Sequence, residues 1–255
     1  MIKRHILILK IILLTALNFS YGQENQNIQA HYTYSNYGTN QKYDIKLFTD
    51  NTKAISIFNK KKKDSVSINE EDESVNFNKE YYDDEGKKFF VDLNQQELIF
   101  RDFVYDGEDK AVLVSEKLTN LKWVLKNKTK TIGTYQCYLA ELSFRGRTFN
   151  VWYYPKINTP FGPWKFYGLP GLIMSVQSKD KNIFMSLDKF TISKNNNIEI
   201  VKPSNGEEIT FDKYKEYKKN EVQEFVKKLQ SKLPRGAKVT INSSNENYSL
   251  EKVID

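Results

Sequence analysis

The chain has 255 residues, 39 Lys and Arg against 32 Asp and Glu, a formal net charge of +7, and one cysteine. That length allows one large domain or two small ones, and a hydrophobic fraction of 39% is enough for a core. A single cysteine excludes an internal disulfide, which a core of this size does not need.

The first 22 residues have the layout of a secretory signal peptide. Lys3 and Arg4 form a basic start, and residues 6–17 are apolar except for Lys10 and Thr15. Ser20 and Gly22 stand at the −3 and −1 positions of a cut before Gln23. A spanning helix wants about 20 apolar residues, and Lys10 interrupts this one. The expectation is export with cleavage, leaving residues 23–255 as a single β-rich domain with no membrane span. No Cys lies near the cut, which argues against a lipid anchor. Losing Lys3, Arg4 and Lys10 lowers the net charge from +7 to +4. The one dense basic run, residues 60–63, is followed by Asp64 and then by Glu70, Glu71, Asp72 and Glu73. Opposite runs in one neighbourhood argue for a solvated hairpin and against nucleic acid as a partner.

From residue 28 to 154 the pattern is short period-two runs broken by polar turns. "IQAHYTYSNYG", "YDIKLF", "AISIF", "DSVSI", "KKFFVDL", "QELIFRDFVYD" and "AVLVSE" read as strands. "FTDNTK", "NEEDES", "YYDDEG" and "YDGEDK" between them are turn chemistry. Short links between successive strands require antiparallel pairing, because a parallel sheet needs long crossovers. Residues 121–156 form the clearest sheet segment, with "RGR" at 145–147 as the turn of a hairpin. Strict alternation there puts Tyr135, Cys137 and Leu139 on one face and Gln136, Tyr138 and Ala140 on the other. Cys137, mid-strand among apolar neighbours, reads as a buried thiol.

Past residue 155 the texture changes. Pro155, Pro160, Pro163 and Pro170 are four of the chain's six prolines, so this stretch cannot be a central strand. It reads as a rigid loop studded with Trp164, Phe166 and Tyr167. Gly168 and Gly171 bracket Pro170 and turn the chain into an apolar strand beginning at Leu172. Either that corner is structural, or the aromatic loop is a docking surface, since Trp and Tyr anchor interfaces. Bulky aromatics alternate with turn formers so closely that Trp164 is expected to be partly exposed. Residues 182–193 read as a further strand. Residues 210–233 hold Phe211, Tyr214, Val222, Phe225, Val226 and Leu229 at helical spacing, with Thr210 or Asp212 as the cap and Pro234 and Gly236 as the stop. "AKVTIN" and "NYSLEKVI" add two possible edge strands. The expected fold is mainly β (α+β): a curved antiparallel sheet or half-barrel with one long C-terminal amphipathic helix.

The loop and its flanks resemble the GLPGLI family of exported envelope proteins. The signature stands unbroken at Gly168, Leu169, Pro170, Gly171, Leu172 and Ile173. Upstream, Cys137 and Ala140 match a Cys-x-x-Ala pair. Gly146, Arg147, Trp152 and Tyr153 match a GR…WY pattern, and Gly162, Pro163 and Phe166 match GP…F. The resemblance covers residues 121–178. One departure is the usual Ile-Pro pair, drawn out here to Ile157, Asn158, Thr159 and Pro160. The resemblance implies an exported protein, and it brings no catalytic residues and no cofactor.

The residues themselves offer little chemistry. Past the cut, His31 is the one histidine, so neither a zinc site nor a Ser–His–Asp triad is indicated. A Cys–His pair would have to join Cys137 to His31. Asp83/Asp84 and Glu207/Glu208 are paired carboxylates, as a glycosidase would use, but they are read as solvated turn residues. Arg145 and Arg147 flank a turn and are read as anion-gripping or solvated. These readings favour a non-catalytic protein that binds another envelope protein, such as an outer-membrane transporter. The alternatives are a carrier of a lipid or other apolar ligand in a half-barrel cavity, and a hydrolase of unrecognised type.

Overall fold

The computed structural model describes residues 26–38, 41–60, 65–69, 74–78, 83–194, 199–232 and 250–251. The strands are β1 (Asn27–Asn36), β2 (Gln41–Thr49), β3 (Lys53–Lys60), β4 (Ser65–Asn69), β5 (Ser74–Asn78), β6 (Lys87–Asp92), β7 (Glu97–Tyr105) and β8 (Asp109–Lys117). They continue as β9 (Val124–Ile132), β10 (Tyr135–Phe144), β11 (Arg147–Tyr154), β12 (Leu172–Ser178), β13 (Ile183–Ser193) and β14 (Glu207–Thr210), followed by the helix α1 (Phe211–Lys232).

Twelve strands form one open, curved sheet in the order β14-β8-β7-β6-β3-β2-β1-β13-β12-β11-β10-β9. β4 and β5 make a separate antiparallel hairpin. Neighbouring strands are mostly consecutive, as short links dictate. The exception that organises the sheet is β1, which pairs β13 along its full length from Asn27↔Ser193 to Asn36↔Ile183. A second exception is β14, which pairs β8 in parallel, so the sheet is not wholly antiparallel. Glu207 and Glu208 lie on this edge strand and not in a turn.

The alternation of β1 and β2 buries Ile28, Ala30, Tyr32 and Tyr34 with Tyr43, Ile45 and Leu47 on the inner face. An aromatic row crosses that face. Tyr34 stacks on Tyr43 at 5.6 Å, Tyr43 meets Phe58 at 6.3 Å, Phe58 meets Phe89 at 5.2 Å, and Phe89 stacks on Phe100 at 5.9 Å. Each such pair adds about 0.5–1.5 kcal/mol beyond its buried area.

β10 buries residues on both of its faces. Its register with β9 shifts between Tyr138 and Ala140, where residues 126–128 of β9 stand opposite Leu139 alone, while its pairing with β11 runs unbroken from Tyr138↔Tyr153 to Phe144↔Arg147. Cys137 and Ala140 are both fully buried, while Tyr138 is exposed.

The helix matches the expected bounds to within a residue, and Thr210 caps it by accepting a hydrogen bond from the Lys213 amide at 3.2 Å. It does not lie across the open face. Its first turns pack at one end of the sheet, where the Tyr214 ring meets Phe100 at 5.0 Å and Lys218 donates to the Phe103 carbonyl at 2.8 Å. The side chains of Val222, Phe225 and Leu229, the strand expected at "AKVTIN", and residues 1–25 lie outside the described residues. So does most of "NYSLEKVI", whose described residues Leu250 and Glu251 are not in a strand. Among the described residues no helix is long and apolar enough to cross a membrane.

Candidate functional site

The inner face is filled by the loop of residues 155–171. The loop is held by its own backbone. The Gly162 amide donates to the Phe166 carbonyl at 2.8 Å, the Gly168 amide to Pro160 at 2.6 Å, and the Leu172 amide to Ile157 at 3.1 Å. This folds "FGPWKFYG" back on itself and points its aromatics inward. Trp164 is 2% exposed, so the expected partial exposure is wrong. The reason is that Trp164 adopts a left-handed backbone, φ 62°. That turn aims the indole at Phe144 (5.5 Å), Phe149 (6.0 Å) and Phe166 (5.0 Å). Pro163, Phe166 and Leu169 are buried with it. A docking surface made of this loop is thereby excluded.

The glycines explain how the chain leaves the loop. Gly171 has φ +152°, and a Cβ there would meet the Tyr154 carbonyl oxygen at 2.5 Å and Pro155 Cα at 2.7 Å. β11's end and β12's start can approach this closely only across a glycine. Gly168, at φ +87°, makes room instead for Trp123, whose Nε1 donates to the Tyr167 carbonyl at 2.8 Å. From the signature strand, Leu172 and Ile173 are buried, and Tyr32 of β1 donates its hydroxyl to the Ile173 carbonyl at 2.9 Å.

The loop also carries a charge into the core. Lys165 is fully buried and pairs with Glu116 of β8 and, at 2.7 Å, with Glu251 Oε1. Its ammonium lies 4.1 Å from the Phe100 ring centroid. Arg145, at the β10–β11 turn, bonds the other oxygen of Glu116 and sits 4.6 Å over Phe211. Glu251 Oε2 faces Arg145 Nε at 3.9 Å. Two cations and two anions thus tie the loop, β8, the β10–β11 turn and the C-terminal segment together in an aromatic surround. Lys165, Glu116 and Glu251 escape motif reading. The one signal is a lone lysine among "FGPW" and "FYG", since a charge drawn into an apolar loop must find a counter-charge.

Other charged residues are also satisfied inside the structure. Arg147 is buried against Asp180, and Arg101 against Asp83, the Gly86 carbonyl at 2.8 Å and the Asn205 carbonyl at 2.6 Å. Neither Arg145 nor Arg147 is a solvated turn residue, because each is drawn inward against a carboxylate; Asp83 stays in its turn with its side chain 41% exposed while it pairs with Arg101. Asp102 accepts from Lys87 at 2.8 Å, the Tyr214 hydroxyl at 2.6 Å and the Phe103 amide at 2.8 Å. Burial pushes its carboxyl up, but the Lys87 and Lys218 ammonium groups outweigh that and hold it well below the usual carboxylate range. Burial pushes the Cys137 thiol up. Cys137 and His31 cannot pair: β13, β12 and β11 lie between their strands, a separation of about 19 Å at ~4.8 Å per strand.

Two outer features remain. His31 lies in a cleft with Asp44, Lys46, Asn59, Asp188 and Lys189, where burial and then the two lysines lower its pKa. At the far edge of the sheet, β9 is exposed along most of its length. Val124 and Leu125 are 51% and 58% exposed, and Tyr138 of β10, opposite Thr129, is 38% exposed. Trp152, half-buried on β11, lies under the Lys130 ammonium of this edge at 4.6 Å. Among the described residues no group of three His, Cys, Asp or Glu could hold a metal ion.

No family model matches the chain, and no curated protein matches it. Solved structures do. PNGF-II in a C2 crystal form is 16% identical with a TM-score of 0.51, over 75% of this chain and 32% of that one. The P21 form gives 18% identity and a TM-score of 0.50, over 75% and 33%. An uncharacterized conserved protein from Thermus thermophilus is 7% identical over 74% of this chain and 91% of that one, at a TM-score of 0.40. The chain spans about a third of the length of PNGF-II, and what the two share is fold.

Proposed function

We propose that the protein is an exported, GLPGLI-type protein that works by binding another envelope protein through the free edge of its sheet. The observation that carries this reading is β9. Among the described residues it ends the sheet with no strand beyond it, and it presents Val124 and Leu125 to solvent. An exposed edge with apolar side chains is a template for an added strand, where main-chain bonds give affinity and alternate side chains give specificity. Lys126 and Lys130 do not block it, because Lys126 is drawn to Glu141 at 2.7 Å and Lys130 to the Trp152 ring.

The rival readings have less support. A carrier of an apolar ligand needs room on the concave face, and Trp164, Phe166 and Leu169 occupy it. A hydrolase needs a carboxyl with a raised pKa, whereas Asp102 is lowered and Glu116 is bound by two cations.

The test is site-specific photo-crosslinking in intact cells. A crosslinker at position 125 is expected to trap one envelope protein, and Val124→Asp in the same chain to abolish the adduct. A probe at Tyr37, exposed elsewhere, serves as the control. No adduct at 125 above that at 37 overturns the proposal.

A further inference from the structure

We propose that the β9 edge selects an extended partner segment with Asp or Glu at alternate positions, and that the lysines of the edge make the selection. The inference rests on the edge reading above and adds the chemistry of the strand that docks there. From Lys117 to Ala140 the chain carries five lysines and no Asp, Glu or Arg, so nothing within this stretch offsets its charge. β9 holds three of them, Lys126, Lys128 and Lys130. Lys126 pairs with Glu141 at 2.7 Å, and Lys179 reaches the same carboxylate at 3.3 Å, so one anion already answers two cations. Lys130 lies over the Trp152 ring at 4.6 Å and pairs with no carboxylate among the described residues. Lys128 is exposed and has neither hydrogen bond nor ion pair among them.

The backbone narrows the class of partner. Thr129 to Ile132 pair regularly with β10, and the outward side of an edge strand offers both amides and carbonyls. The phosphates of an anionic membrane could meet the lysines and the amides, but they donate nothing to the carbonyls. A second polypeptide strand meets all three. Residues two apart in a strand project to the same side, so Lys128 and Lys130 share a face. The residues opposite them in an added strand are also two apart, and Asp or Glu at alternate positions therefore meets both. The same lysines reject a second copy of this chain. Antiparallel self-pairing of β9 centred on residue 127, 128 or 129 always sets lysine opposite lysine, and like charges directly across a ladder are destabilising.

The experiment uses the full chain with a photo-crosslinker at the exposed position 131 and three fluorescein-labelled peptides: TEVEVEVET, its analogue with Gln for Glu, and its analogue with Lys for Glu. The Glu peptide is expected to bind saturably, to crosslink at position 131, and to bind at least roughly tenfold more tightly than the Gln peptide, while the Lys peptide does not bind. Raising sodium chloride from about 0.05 M to about 0.5 M shortens the reach of the charges and is expected to close most of that gap. Lys128→Glu combined with Lys130→Glu is expected to lose the Glu peptide and take the Lys peptide. Should that variant fail to fold, Lys128→Glu alone, which breaks no described contact, must bring the Glu peptide down to the level of the Gln peptide. Equal binding of the Glu and Gln peptides, both crosslinked at 131, keeps the edge and overturns its acidic choice. No crosslink from any of the three removes the edge itself. A covalent dimer at 131 gives the edge to a second copy, and displacement of the Glu peptide by phosphatidylglycerol vesicles but not by phosphatidylcholine vesicles gives it to a membrane; either overturns the proposal.

Discussion

Trp164 and Gly171 are the residues on which the loop turns, and they fail in different ways when replaced. Trp164→Ala empties a pocket walled by Phe144, Phe149 and Phe166, and we expect a loss of about 3–5 kcal/mol. Gly171→Val drives a branched Cβ into the Tyr154 carbonyl. The positive φ alone costs on the order of 1–3 kcal/mol, and the clash adds to it. Gly168→Ala should be milder, because its nearest neighbour is Trp123 Nε1 at 3.7 Å. Urea denaturation of the three variants checks the order. A Trp164→Ala protein as stable as the wild type would return the indole to the surface. The glycines of this corner could be read from the sequence, because few other residues satisfy a turn beside Pro170 that leads into an apolar strand. The inward turn of Trp164 could not, because its left-handed backbone is imposed by the Gly162–Phe166 pairing and by the cavity that receives the ring. Lys165 was illegible for the same reason: its counter-charges, Glu116 and Glu251, lie far away in sequence.

At the scale of elements, strands announced themselves wherever one face was buried. β1 and β2 alternate clearly because one face of each carries the core, whereas β3, β6, β7 and β8 hold runs of consecutive buried residues. β14 did not, since "EEIT" is mostly exposed and is made a strand by β8 beside it. The irregularity of β9 opposite Leu139 also left no local mark, because residues 126–128 read as ordinary polar strand residues. The contact between α1 and β7 depends on Asp102, which has a pH signature. Its folded pKa is held below the ordinary 3.8, so the stability it contributes is present above that pH and is lost as the carboxyl protonates below it. Asp102→Asn leaves Lys87 beside a neutral amide, a loss of about 3–5 kcal/mol near neutral pH. Unfolding midpoints of variant and wild type should converge as the pH falls below 3.8. A gap that stays constant down to strongly acid pH would remove Asp102 from this role.

For the whole molecule, the order of strands sets where the sheet is firm. β1, β2, β12 and β13 lie inside the sheet, with β9 and β14 at its two ends. Backbone amides should therefore exchange slowest in β1 and β13 and fastest in β9 and β14, with the loop amides of Gly162 and Gly168 grouping with the slow set. Hydrogen exchange read by mass spectrometry tests this. Fast exchange across β1 would show that its pairing with β13 is not the firm centre.

That pairing has a consequence for the order in which the protein can be made. A polypeptide emerging from its N-terminus presents β1 early, and β2 closes one side of it at once through a short turn. The other side waits for Ile183–Ser193. Until that strand has emerged, β1 offers an open row of amides and carbonyls between Tyr32, Tyr34 and their neighbours. Long waits of this kind make assembly slow and leave sticky intermediates. Every strand from β3 to β12 must be kept from that vacant seat, and the chain can seal itself only when its last long strand arrives.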